Sequence, residues 1–374
     1  MKDLTRYARQ GILDLKAYVP GKPVEEVQDE LGLTEIIKLA SNETPLGPSP
    51  MAVAAAVQEM QNIHFYPEGP CTWLRRDLAR RLAIADDMIS FSNGADNIIV
   101  LITAAFINQG DEVVIADPSF FGYLTYTKVM GGTPILVDLK NWAHDLATMS
   151  EKVGPKTKLV FVCNPNNPTG TIVRKAELDD FVARLPEHVI LVLDEAYLEF
   201  VSDRDSRDGL DYIKQGRNVI SVRTFSKICG LAGLRIGYAL AAREFIAALN
   251  RVREPFPVSR VAQAAARAAL DDQDYRIRVL ANNEVGKSYF ARAFDRLGLP
   301  FAPSQTNFVF VDLQRDSQEV FRALLKMGVI IRPGSIWNCP TCARITIGTP
   351  EQNRRFIHAL EDCLRTSPRT TGTT

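Results

Sequence analysis

The chain has no imbalance of charge. Lysine plus arginine number 44 and aspartate plus glutamate number 44, for a formal net charge of +0. No global field therefore draws it to nucleic acid or to an anionic membrane. Long hydrophobic runs are missing too. The longest, near Ile98–Ile107, is half of the roughly 20 residues that a bilayer needs. Met1–Tyr7 lacks the apolar core of a secretory signal, so a cytoplasmic protein is expected. Histidine is scarce, with four in 374 residues, and no His-x-x-x-His pattern occurs. The six cysteines are scattered, apart from Cys339-Pro340-Thr341-Cys342. That pair has metal-ligand or redox spacing, but no second pair or nearby histidine completes a zinc site. Reduced thiols in a loop, and no metal, are expected. No Gly-x-Gly-x-x-Gly follows the first strand, which removes the dinucleotide fingerprint. Gly286-Lys287-Ser288 resembles the end of a phosphate loop, but Ala281 stands where that motif needs glycine.

What is present is an alternation. Ile89–Ser92, Glu112–Ala116, Thr133–Asp138, Leu159–Cys163, Val189–Asp194, Asn218–Val222 and Ile236–Leu240 read as strands. Helical stretches such as Asn97–Phe106, Phe121–Met130 and Lys175–Leu185 lie between them. This predicts an α/β fold with a mainly parallel seven-stranded sheet covered by helices. Residues 1–40 read as an N-terminal arm and 41–255 as the large domain. Arg253–Pro257 looks like a hinge. Residues 256–366 read as a smaller C-terminal α+β domain, with strand candidates Phe308–Val311, Val329–Arg332 and Arg344–Ile347. Residues 367–374 form a polar tail, expected to be disordered.

In a sheet of this kind, ligands bind beyond the carboxyl ends of the strands. The unusual residues fall there. Ser92-Asn93-Gly94-Ala95-Asp96 leads into a helix, whose free amides suit a phosphate, although a plain helix cap reads the same. Asn164–Gly170 is a stiff loop of asparagines and prolines, or simply a structural turn. Asp194-Glu195-Ala196-Tyr197 leaves a carboxylate at a buried strand end, where it needs a cationic or strong donor partner. Between the last two strands lie Thr224, Ser226, Lys227 and Arg235. A lysine there is either a solvated loop residue or an amine with a chemical task, such as forming a Schiff base.

Together these parts suit one cofactor. Pyridoxal phosphate needs a lysine amine (Lys227), an acidic partner for its ring nitrogen (Asp194), and an anion cradle. Gly94, Ala95, Thr224, Ser226 and Arg235 supply the cradle, and Tyr197 and Asn167 join it at the same sheet edge.

The chain resembles the fold-type I pyridoxal phosphate aminotransferases, and most closely the histidinol-phosphate aminotransferase family. The resemblance spans nearly the whole chain. It is carried by Leu39–Glu43 with Pro45-Leu46-Gly47, Asn167–Gly170, Asp194–Tyr197, Thr224–Tyr238 and Arg344–Thr349. It implies an aspartate-aminotransferase-like fold and an obligate homodimer. It assigns Lys227 the covalent link and the proton shuttle, eased by a pKa that desolvation lowers. Asp194 pairs with the ring nitrogen, Tyr197 and Asn167 bond the ring oxygen, and Phe120 stacks on the ring. Asp96 joins the cofactor-binding set, and Tyr66 reaches the phosphate held by the neighbouring subunit. On the substrate side stand Arg344, Arg332, Asn42 and Tyr18. Two guanidinium groups suit a dianionic phosphate, whereas one fork suffices for a carboxylate. A strand-end surface charge is the plainer reading of Arg332.

The chain departs from the family pattern at Thr44 and Pro257, where many members carry asparagine, and at Cys229, where tyrosine is common. Gly334–Cys342 is also unusual. The expected reaction is transamination between histidinol phosphate and 2-oxoglutarate, yielding imidazole acetol phosphate and glutamate. Alternatives are an aromatic or broad-range amino acid aminotransferase and a decarboxylase acting on threonine phosphate. A further one is a regulator that only senses pyridoxal phosphate. Such regulators usually append a DNA-binding domain, and no basic helix pair is present here.

Overall fold

The structure is a computed structural model that describes residues 5–15, 17 and 21–366. Tyr18 and the tail 367–374 lie outside the described residues. In chain order the strands are β1 (Ile37–Lys38), β2 (Ile89–Ser92), β3 (Glu112–Asp117) and β4 (Thr133–Asp138). They continue with β5 (Thr157–Cys163), β6 (Ile190–Asp194), β7 (Val219–Thr224) and β8 (Gly237–Leu240). The last four are β9 (Phe308–Asp312), β10 (Val329–Ile330), β11 (Arg332–Pro333) and β12 (Cys342–Thr346).

Seven strands form the main sheet, in the order β2-β8-β7-β6-β5-β3-β4. The expected seven are therefore the observed seven. Strand β8 runs antiparallel to both its neighbours, and the other pairings are parallel. Central strands are apolar on both faces because helices cover both. Val114, Val160 and Leu191 pack into one core, while Val113, Leu159 and Val192 pack into the core opposite. The period of two along each strand sends neighbours to opposite faces.

A third core holds the C-terminal part together. Strands β11, β12 and β9 form an antiparallel sheet, and β1 pairs with β10 in parallel. Ile37 and Leu39 are buried there with Phe290, Val311, Leu324 and Leu360. The end of the arm is thus built into this core. Val329–Arg332, a single strand to a pattern reader, is split at Ile331. Its first half pairs with β1 and its second with β12.

The helix Gln273–Leu297 is 25 residues long and spans two of these packing units. Tyr275 and Val279 pack near Tyr197 and Phe308, while Phe290 and Phe294 enter the third core. Gly286-Lys287-Ser288 lies inside this helix. A Cβ on Gly286 would stand 2.3 Å from Cγ2 of Ile347, so the glycine serves close packing and not phosphate binding. Among the described residues, no helix is long and apolar enough to cross a membrane.

Candidate active site

The carboxyl ends of β3, β5, β6 and β7 open on one cavity of about 480 Å³. Lys227 lies three residues past the end of β7. Its loop is tied down locally, with the Ser226 amide donating to Thr224 Oγ1 at 3.0 Å and the Phe225 amide to the Ile236 carbonyl at 3.1 Å. The half-buried Lys227 Nζ donates to the Ser41 carbonyl at 3.4 Å and lies 5.6 Å from the centre of the Tyr197 ring. Burial, reinforced by the Arg344 charge, lowers its pKa to about 8.

Asp194 ends β6 and is buried. Tyr123 Oη donates to its Oδ2 at 2.5 Å, and the Ala196 amide donates to its Oδ1 at 3.1 Å. Among the described residues, no cation forms an ion pair with it. Burial accordingly pushes its pKa up to about 6, against the pull of the Tyr123 hydrogen bond. Next to it, Glu195 turns the other way. Its Oε2 accepts from Arg223 Nη2 at 3.0 Å and Nε at 3.1 Å, and Arg223 also pairs with Asp208. This buried, doubly bonded pair ties the end of β6 to β7, so Asp194 and Lys227 are held by one rigid edge.

The phenol and amides are oriented by their neighbours. Asn42 Nδ2 donates to Tyr197 Oη at 2.8 Å, which leaves the Tyr197 O–H free to donate elsewhere. Asn167 Oδ1 accepts from Arg344 Nη1 at 2.5 Å, which leaves the amide N–H groups of Asn167 as donors. Asn42 is buried at φ 55° and held by Thr346, whose Oγ1 accepts from the Asn42 amide at 2.9 Å.

The residues read from the sequence as an anion cradle, Ala95, Thr224, Ser226 and Arg235, line the same cavity. The helix Gly94–Phe106 starts beside Arg235, and Gly94 has φ +82°. That φ strains any L side chain, and a Cβ there would stand 2.5 Å from Arg235 Nη2 and displace the guanidinium beside the helix terminus. Arg235 Nη2 also donates to Asp96 Oδ2 at 3.3 Å.

Arg332 and Arg344 also line the cavity. Both are buried at 6% exposure, so Arg332 is not a surface charge. Arg344 Nη2 donates to the Ala40 carbonyl at 2.8 Å. The guanidinium carbon of Arg344 lies 5.1 Å from the Trp337 ring centre and 5.3 Å from that of Phe308. Cation–aromatic contacts of this length hold a guanidinium without neutralising it.

A family model described as "Aminotransferase class I and II" matches residues 34–360. The chain belongs to this family. It is 51% identical to the histidinol-phosphate aminotransferase of Moorella thermoacetica, over 95% of this chain and 92% of the relative. It is 46% identical to that of Caldicellulosiruptor saccharolyticus, over 95% and 99%. The crystal structure of histidinol-phosphate aminotransferase from Sinorhizobium meliloti in complex with pyridoxal-5'-phosphate is 30% identical, with a TM-score of 0.88, covering 96% of this chain and 97% of that one.

In this aminotransferase the cavity lining brings together Asn42, Ala95, Asp96, Phe120, Asn167, Asp194, Tyr197, Thr224, Ser226, Lys227, Arg235, Arg332 and Arg344. Gly94 sits just behind, against Arg235. Tyr66 is elsewhere. It is 78% exposed and stacks on Phe256, with ring centres 4.7 Å apart. Tyr123 and Trp337 were not anticipated from the sequence. Tyr123 lies on the inner face of the helix Phe121–Val129, and only its contact with Asp194 marks it out.

Proposed function

We propose that this aminotransferase uses pyridoxal phosphate to move the amino group of histidinol phosphate to 2-oxoglutarate, yielding imidazole acetol phosphate and glutamate. The donor set fits the cofactor. A buried carboxylate without an ion-pair partner suits a protonated ring nitrogen, which would supply the missing cation. Two oriented donors, the Tyr197 hydroxyl and the Asn167 amide, suit a ring oxygen. A helix terminus with Arg235, Thr224 and Ser226 suits a phosphate. When bound there, pyridoxal phosphate supplies an aldehyde that condenses with amines and a ring that withdraws electrons.

The chain's own groups then have separate tasks. Lys227 would hold the cofactor through its amine, and its Nζ would be the group that moves a proton at the substrate. With a pKa near 8, Nζ exchanges that proton readily at neutral pH. Asp194 would hold a protonated ring nitrogen, and Tyr123 holds the carboxylate in line. Phe120 lies at the cavity wall where a ring face would rest. Arg344 and Arg332 hold the substrate's anionic end.

The observation that carries the choice of substrate is the two buried guanidinium groups on adjoining strands, facing one cavity. Two such forks match a phosphate dianion better than a single carboxylate. The functional unit is a homodimer in which Tyr66, exposed and outside the lining of its own cavity, completes the partner's phosphate site. A biosynthetic role in the cytoplasm accords with this reading. The test is a donor panel with 2-oxoglutarate. Histidinol phosphate should give the highest kcat/KM. A higher value for phenylalanine would favour an aromatic aminotransferase, and carbon dioxide release from threonine phosphate would favour a decarboxylase.

A further inference from the structure

Strand β12 begins with Cys342 and carries Arg344 two residues later. Before it, Gly334–Trp337 forms a single helical turn, and Asn338 then reverses the chain at φ 56°. The Cys342 amide donates to the Cys339 carbonyl at 3.0 Å, which closes a four-residue turn. A hydrogen-bonded turn brings its first and last Cα within about 7 Å, which is inside the range a disulfide spans. Both cysteines are free thiols in one small apolar cluster with Trp337 and Phe310. Cys342 is buried and Cys339 half-buried, so only Cys339 meets a reagent from solvent.

The Cys339 thiol donates to the Trp337 carbonyl at 3.4 Å. The Trp337 ring in turn lies 5.1 Å from the Arg344 guanidinium. This chain of contacts links the turn to the group that would grip substrate.

We infer that Cys339 and Cys342 are a dithiol centre that small disulfides oxidise to an intramolecular bridge, and that the bridge loosens substrate binding through Trp337 and Arg344. This rests on the substrate-gripping role given to Arg344. Cys339 loses its proton and attacks one sulfur of a small disulfide, RSSR. The S–S bond breaks, and the departing RS⁻ takes up a proton. Cys342 then attacks the Cys339 sulfur, loses its own proton, and expels the second RS⁻, which is protonated in turn. One disulfide is reduced to two thiols, and the two protein thiols lose two electrons. The neighbouring Cys342 side chain holds the Cys339 thiol below its ordinary range, while Cys339 and burial push the Cys342 thiol above it. That is the division of labour such an exchange needs. A bridged sulfur has no proton, so the bond from Cys339 to the Trp337 carbonyl is lost.

The test uses the full-length holoenzyme with excess oxidised glutathione, followed by alkylation and mapping of the tryptic peptide Met327–Arg344. That peptide should be lighter by two hydrogens and resist alkylation. KM for the donor ranked first in the panel should rise about fivefold or more, with a smaller change in kcat. Dithiothreitol should reverse both effects. Cys339→Ser should keep the activity of the reduced enzyme and show no response to the oxidant. Free thiols or a persisting glutathione adduct in that peptide would overturn the inference, as would a bridge that leaves KM unchanged. Failure of the reduced enzyme to accept histidinol phosphate would instead count against the substrate reading, while the bridge is read separately.

Discussion

Arg332 and Arg344 stand directly opposite each other on β11 and β12. Like charges in that position repel, and here both are buried. Asn167, the Ala40 carbonyl and two aromatic faces hold Arg344 in place, and under the proposed function a substrate anion would sit against both members of the pair.

Removing one of the two should therefore separate the substrates. Arg332→Ala should raise KM for histidinol phosphate by about 10- to 100-fold, the range for losing a hydrogen bond to a charged group. The loss for phenylalanine should be smaller. Steady-state kinetics with both donors measures this, and equal losses would count against a phosphate-binding role.

Asp194 predicts a pH signature. Its folded-state pKa is raised to about 6, above the unfolded value of about 3.9. The folded chain then binds that proton more tightly. The resulting stability is fully present below about pH 4 and is lost as pH rises through 6. In the apoenzyme, Asp194→Asn should remove this dependence. Its stability relative to wild type should improve from pH 4 to pH 7 by roughly 1–3 kcal/mol, read by denaturant titration. Parallel curves for the two proteins would refute the assignment.

How much of this was legible beforehand depended on the range of the signal. Apolar runs of four to seven residues mark strands locally, so all seven main-sheet strands were readable. The direction of β8 was not, because its sequence is as apolar as that of a parallel strand. Lys227 and Asp194 stood out as polar groups beside buried strands, whereas Arg344 was marked only by the family resemblance. Tyr123 did not, since its partner Asp194 is 71 residues away and no spacing rule joins them. Arg332 looked like the end of a longer strand. Its burial follows from a pairing switch at Ile331, which only the three-dimensional register reveals. The stacking of Trp337 on Arg344 was hidden for the same reason.

Tyr66 makes a prediction about assembly. A Tyr66→Ala protein and a Lys227→Ala protein should each be impaired. Mixing them under conditions that exchange subunits should restore activity. In the hybrid, one site keeps its own Lys227 and receives the partner's intact tyrosine. No recovery, with hybrids confirmed by native mass spectrometry, would place Tyr66 outside the partner's site.

The covalent attachment point bears most directly on the whole account. The holoenzyme is reduced with borohydride, digested, and mapped by mass spectrometry. A pyridoxyl phosphate adduct is expected on Lys227, with loss of both adduct and turnover in Lys227→Ala. An adduct on a different lysine, or turnover that survives the substitution, would contradict it.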